Sequence, residues 1–248
     1  MDSRFLLHSI VGVNVLLFVW EIYLLYRQRK HVLAFATRSE EIQSIISEED
    51  YAKSRAYSVD RLSFIRLIAE CAIVVIMLYG GYYSVLWSFS SLSSYPISLF
   101  TTLHYITSFG LDLPFSLYDN FVIEELHGFN KYTFTFYMAD AIKKNVLATA
   151  LTIPLGWGAV WMIENGGEFF FFYLWMFVSI VIVCMVTVYP AYIAPLFDQY
   201  SPLPEGNLKS AIEELAAKLD YPLTKIYVVD GSSRSGHSNA YMYGFWNN

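Results

Sequence analysis

The sequence predicts an α-helical polytopic membrane protein: five transmembrane helices, then the opening of a cytosolic α+β domain. Three observations lead there. Of 248 residues, 56% are hydrophobic and only 15% are charged, with a mean hydropathy of +0.41, which lies outside the range of ordinary soluble domains. Apolar runs long enough to cross a bilayer recur along the first 193 positions. Basic residues collect in the connections that alternate with them. The formal net charge of −6 excludes a broadly basic nucleic-acid-binding surface. Cys71 and Cys184 sit in separate apolar runs, without the spacing of a disulfide framework or a metal site.

The first span, 5–26, ends in Arg27-Gln28-Arg29-Lys30 and lacks the small-x-small site of a cleaved leader, so it is read as a retained signal anchor. Spans follow at 67–87, 146–163 and 169–193. A weaker one at 97–113 carries Thr101, Thr102, His104, Thr107, Ser108 and Asp112. Charge decides whether this weak segment crosses. With it, 8 basic residues of 27–66, 3 of 114–144 and 4 of the tail share one side, and only Arg4 lies opposite. Without it the count is 8 against 8. Five spans therefore put the N-terminus in the lumen and the tail in the cytosol.

Two further pieces do not span. Residues 115–127 place Phe115, Tyr118, Phe121, Val122 and Leu126 at helical spacing beside Asp119, Glu124 and Glu125, the pattern of an interfacial amphipathic helix. In the tail, Leu208, Ile212, Leu215, Ala216 and Leu219 form one helical face, with Asn207 as the expected cap. A strand is expected at 225–229, a loop at 231–238 and a second strand at 239–246. One helix and two strands bury too little to stand alone, so 201–248 reads as the truncated start of a larger domain.

Polar residues inside spans are functional candidates: His8, Asn14, Glu21, Glu70 and His104. Glu21 lies close to Arg27–Lys30 and Glu70 one turn from Arg66, so both are expected to pair or snorkel at the interface. His104 is expected to face a polar interior. Glu124-x-x-His127 has the spacing of one half of a di-metal site, but no second pair accompanies it, which favours a hydrogen-bonded structural motif. His237 reads as a loop residue. No His-Glu-x-x-His, glycine-rich phosphate loop or G-x-S-x-G elbow occurs in the 248 residues.

Three blocks add more: "FVIEELHGFN" at 121–130, "IAPLFDQYSPLPEGNLK" at 193–209 and "YPLTKIYVVDGSSRSGHSNAYMYGF" at 221–245. Together they closely resemble the type I CAAX prenyl endopeptidases, integral-membrane zinc metalloproteases of the endoplasmic reticulum. Leu126, and Ser233 where that family commonly has a basic residue, are departures. The resemblance implies a metalloprotease domain in the tail and removal of the C-terminal tripeptide from a prenylated CAAX protein or peptide, with Zn as cofactor. It implies substrate binding by Asn239, Ala240 and Tyr241 on an edge strand, to which an extended peptide adds through main-chain hydrogen bonds. The family's His-Glu-x-x-His helix lies downstream of such a strand. The chain is therefore expected to be an N-terminal fragment, inactive and without bound metal. A noncatalytic membrane scaffold is the alternative. A transporter or channel subunit, suggested by Pro154 and Pro190 within two spans, would predict internal repeats, and the two halves show none.

Overall fold

In a computed structural model the described residues are 3–242. They divide into two compact units, Met1–Gly128 and Phe129–Asn248.

The first unit opens with α1, Ser3–Ala34, which continues eight residues past the expected end of the first span. Arg27 to Lys30 are good helix formers, so charge ends the apolar run without ending the helix. A short 3-10 turn at Glu40–Ile42 leads to α2, Glu48–Arg61, whose start is fixed by Ser47. The Ser47 hydroxyl oxygen accepts the Asp50 N–H at 3.0 Å, and Glu48, Glu49 and Asp50 face the positive end of the helix dipole. The expected span 67–87 is broken in two: α3 covers Phe64–Tyr79 and α4 covers Tyr82–Ser90. Gly81, at φ +77°, occupies the left-handed region between them, which ends α3.

α5, Pro96–Tyr118, is 23 residues long, about 34 Å at the helical rise per residue. It runs directly into a π-helical turn at Asp119–Glu124. The segment read as a separate amphipathic helix at 115–127 is thus the end of the same rod as the weak span. Pro114 and the π turn disturb its hydrogen-bond ladder without stopping it.

In the second unit, α6 (Phe134–Asn165) begins at Thr133, whose hydroxyl accepts the Phe136 N–H at 3.3 Å. Gly166, Gly167 and a 3-10 turn reverse the chain into α7, Phe170–Val188. The two helices approach closely at Gly158, where a β-carbon would stand 3.0 Å from the Phe177 ring. Pro190 sits in a π turn, Tyr189–Ile193, that ends the expected fifth span.

Beyond it lies a small α+β piece. β1, Tyr200–Pro202, pairs antiparallel with β2, Tyr227–Val229, and α8, Asn207–Lys218, lies between them in sequence. β1 has no counterpart among the expected elements, because three residues ending in proline carry no alternation. Asn207 is the first helical residue of α8 and not its cap; Gly206 holds that place, with no side-chain cap bond. The expected strand at 239–246 is not formed at Asn239–Met242, and its remaining positions lie outside the described residues.

Four helical stretches are long and apolar enough to cross a membrane: Arg4–Ala34, Glu48–Tyr79, Phe134–Asn165 and Gly167–Leu196. Their apolar side chains are largely exposed, Leu16 at 70% and Ile65 at 79% among them. In water this would be untenable, whereas lipid solvates such faces without cost.

Candidate functional site

In the second unit the loop leading to Asn239 is tied down at several points. Its Arg234 to Gly236 stretch runs antiparallel to Phe129–Lys131, through an Asn130–Ser235 bridge. The Lys131 N–H donates to the Arg234 carbonyl at 3.2 Å and the Gly236 N–H to the Phe129 carbonyl at 2.7 Å. The His237 ring stacks on Phe129 at a centroid distance of 4.1 Å.

Arg234 is the centre of this arrangement. Its Nε and Nη2 donate to the two carboxylate oxygens of Asp140, at 3.3 and 3.2 Å, a forked pair from α6. Nη1 donates to Asp198, and Nη2 also to the Phe197 carbonyl at 2.6 Å. The guanidinium lies 5.8 Å from the centroid of the Phe136 ring. Its side chain is 15% exposed and that of Asp140 6%. Burial works against the Arg234 charge, but the hydrogen bond and charge of Asp140, then Asp198, outweigh it and hold its pKa above the ordinary arginine value. Asp140 also accepts from the Tyr132 hydroxyl at 3.1 Å and pairs with Lys144 at 2.8 Å.

Lys144, Asp198 and Arg234 line a cavity of about 350 Å³ whose apolar wall includes Leu147, Leu151 and Met185. Beyond the anchored loop, the Ala240 N–H donates to the Asn239 side-chain oxygen at 2.8 Å, and the Tyr241 hydroxyl lies 3.0 Å from that of Tyr200.

In the first unit the Glu124-x-x-His127 pair is engaged in hydrogen bonds. Glu124, 8% exposed, accepts from the Tyr57 hydroxyl at 2.6 Å and from Arg61 at 2.8 Å. His127 Nε2 meets Asp60 at 2.8 Å. Glu70 pairs with Arg66 as expected, at 2.7 Å, and Arg66 also meets Asp112 and Asp119. Glu21 is exposed and enters no ion pair among the described residues. The Asn14 amide bonds the Ile10 carbonyl of its own helix. His8 shares a hydrogen bond with Tyr79 at 2.9 Å, and half-buried His104 one with Tyr82 at 3.4 Å. The residues present do not fit zinc: among the described residues no three His, Cys, Asp or Glu side chains converge, and Glu124 and His127 already hold other partners.

Comparison with known proteins assigns both parts of the chain. Residues 28–199 match the family described as CAAX prenyl protease N-terminal, five membrane helices. Residues 202–248 match peptidase family M48. The chain belongs to the CAAX prenyl protease family. Among its relatives, the CAAX prenyl protease 1 homolog of Caenorhabditis elegans is 46% identical over 100% of this chain and 57% of its own length. That of Homo sapiens is 42% identical over 93% of this chain and 51% of its own length. The crystal structure of Ste24p from S. mikatae superposes with a TM-score of 0.88 at 31% identity, covering 98% of this chain and 59% of that one. The chain thus spans just over half the length of these relatives.

As a member of this metallopeptidase family, the chain combines a region matching the CAAX prenyl protease N-terminal membrane helices with one matching peptidase family M48. The family resemblance implies Asn239 to Tyr241 but says nothing of the clamp before them. Asp198 and Arg234 lie in two of the blocks that carry the family resemblance, and Asp140 stands four residues before Lys144 on α6. That spacing shows the local Asp140–Lys144 pair; the partner 94 residues away has no local signature.

Proposed function

We propose that residues 1–248 supply the membrane region and a substrate-binding segment of a zinc-dependent CAAX prenyl protease. It removes the C-terminal tripeptide from prenylated proteins in the endoplasmic reticulum membrane. The observation that carries this reading is the continuity of two family matches along one chain, membrane region first and M48 domain next. The part proposed for these 248 residues is to hold substrate.

Asn239, Ala240 and Tyr241 follow directly on the clamped loop and offer main-chain groups to an extended peptide. Their present bonds are local and exchangeable: an Asn239 side chain on the Ala240 N–H and a Tyr–Tyr hydroxyl contact. A prenylated C-terminus is anchored in the bilayer by its own lipid, and a protein with such membrane helices would share that bilayer.

The test is proteolysis by the complete gene product, purified in detergent, of a farnesylated CAAX peptide. Release of the tripeptide, its loss on chelation and its recovery with zinc support the reading. Binding of the prenylated peptide without any cleavage would favour a noncatalytic scaffold.

A further inference from the structure

We propose that Arg234 is a positioning residue, whose Asp140–Asp198 clamp sets the Asn239–Tyr241 segment in register for substrate. The proposal rests on the functional reading above and names what holds that edge.

Arg234 stands five positions before Asn239, and its guanidinium ties the loop to two places at once. The fork onto Asp140 fixes it to α6, and the bonds to Asp198 and the Phe197 carbonyl fix it to the turn that follows α7. On the other side of the loop, the pairing with Phe129–Lys131 ends at Gly236. Asn239 stands three positions beyond Gly236, so a loop held at Arg234 and Gly236 limits where Asn239 to Tyr241 can lie.

The α6 side of the cluster does not depend on Arg234 in the same way. Asp140 also pairs with Lys144 at 2.8 Å and accepts from the Tyr132 hydroxyl at 3.1 Å, contacts that do not involve the guanidinium. Loss of Arg234 thus leaves its carboxylate partner compensated, and the loop loses its anchor. Lysine preserves the charge but not the planar fork that reaches Asp140, Asp198 and the carbonyl together.

The experiment uses the complete gene product with Arg234→Gln, Arg234→Lys and Asp198→Asn, each assayed on a farnesylated CAAX peptide. Zinc content, thermal midpoint and amide exchange over 229–242 are measured alongside. For Arg234→Gln, kcat/KM should fall roughly 10- to 100-fold, the size of loss that small misplacements produce. KM should carry much of that fall, while zinc content stays at the parent value and exchange in 235–242 rises. Arg234→Lys should recover part of the loss, and Asp198→Asn should show a smaller loss of the same kind. Unchanged KM and kcat in Arg234→Gln would overturn the proposal. So would a loss of zinc and thermal stability in both Arg234 variants, which would make the residue a general support of the fold. A parent protein that cleaves no prenylated peptide would instead overturn the functional reading, and the proposal with it.

Discussion

Arg29 and Arg55 cap each other's helices. Arg29, on α1, donates from Nη1 to the Val59 carbonyl at 2.7 Å and the Leu62 carbonyl at 3.1 Å, at the C-terminal end of α2. Arg55, on α2, donates to the Val32 and Leu33 carbonyls at the end of α1, both at 2.9 Å. Each cation thus satisfies backbone acceptors that a helix leaves open at its end, and each meets the negative pole of the other's dipole. Arg29→Ala or Arg55→Ala should each cost about 1–3 kcal/mol, the range for hydrogen bonds to charged groups. Unfolding of the detergent-solubilised chain measures this. An unchanged midpoint in both variants would show that water replaces these caps freely.

Glu124 and His127 should differ in their effect on stability. Glu124→Ala uncovers the Tyr57 hydroxyl and Arg61 in a site where the carboxylate is 8% exposed. The cost of such orphaned partners is about 1–3 kcal/mol. His127→Ala removes a bond to Asp60, whose side chain is 41% exposed and can turn to water, so its cost should be smaller. Added zinc should shift neither midpoint. A midpoint that rises with zinc in the parent chain and not in Glu124→Ala would make the pair a metal site.

What was legible in the sequence and what was not divide along physical lines. The apolar runs behind α1, α6 and α7 are local signals, and their length and mean hydropathy report them directly. The Gly80-Gly81 break was visible as two glycines, but an apolar window averages across it, so α3 and α4 were read as one span. Residues 97–113 and 115–127 were separated in the opposite sense: one rod runs through Pro114 to Glu124. Of the site, the resemblance offered Asn239 to Tyr241, whereas the Arg234–Asp140 fork joins residues that only the tertiary fold brings together. β1 escaped because its pairing with β2 is specified by the partner strand and not by its own three residues.

Tyr132 gives the cluster a pH dependence. Burial, then the charge of Asp140 and the hydrogen bond to it, raises the Tyr132 pKa above the ordinary value of 10.0. The neutral hydroxyl is the form that the fold favours. Its contribution is therefore complete below about pH 10 and is lost as pH rises from there through the raised folded-state value. Tyr132→Phe should be less stable than the parent at pH 8, and the gap should narrow above pH 10. Thermal midpoints at matched pH, parent against variant, isolate this tyrosine from the others. A gap that stays constant from pH 8 to the alkaline limit would contradict it.

The five-span reading predicts an orientation in the membrane. Of the 16 basic residues, the five-span reading puts 15 on one side, a bias that orients helices during insertion. An engineered glycosylation sequon should be modified in an extended 164–168 connection and remain unmodified in the tail after α8. Gel mobility before and after deglycosylation measures both. A glycosylated tail would reverse the assignment and remove α5 from the spans.

Substrate binding by the Asn239–Tyr241 segment can be tested through its backbone. If a peptide substrate binds there through main-chain hydrogen bonds, the Ala240 N–H is one of the donors it would use, and in the structure that donor is held by the Asn239 side chain at 2.8 Å. Substrate must then displace a neighbour's carbonyl, an exchange of one hydrogen bond for another with little net cost. Ala240→Pro removes the donor outright and fixes φ near −65°, whereas Tyr241→Ala removes only a side chain whose hydroxyl meets Tyr200. In the complete gene product, Ala240→Pro should therefore lower kcat/KM far more than Tyr241→Ala, with zinc content and detergent-resistant folding kept in both. Asn239→Ala frees the donor without deleting it, so it should leave kcat/KM much closer to the parent than proline does. Full activity in a folded Ala240→Pro protein would mean that substrate does not use this donor, and the three residues would then be an ordinary connection after the Arg234 clamp.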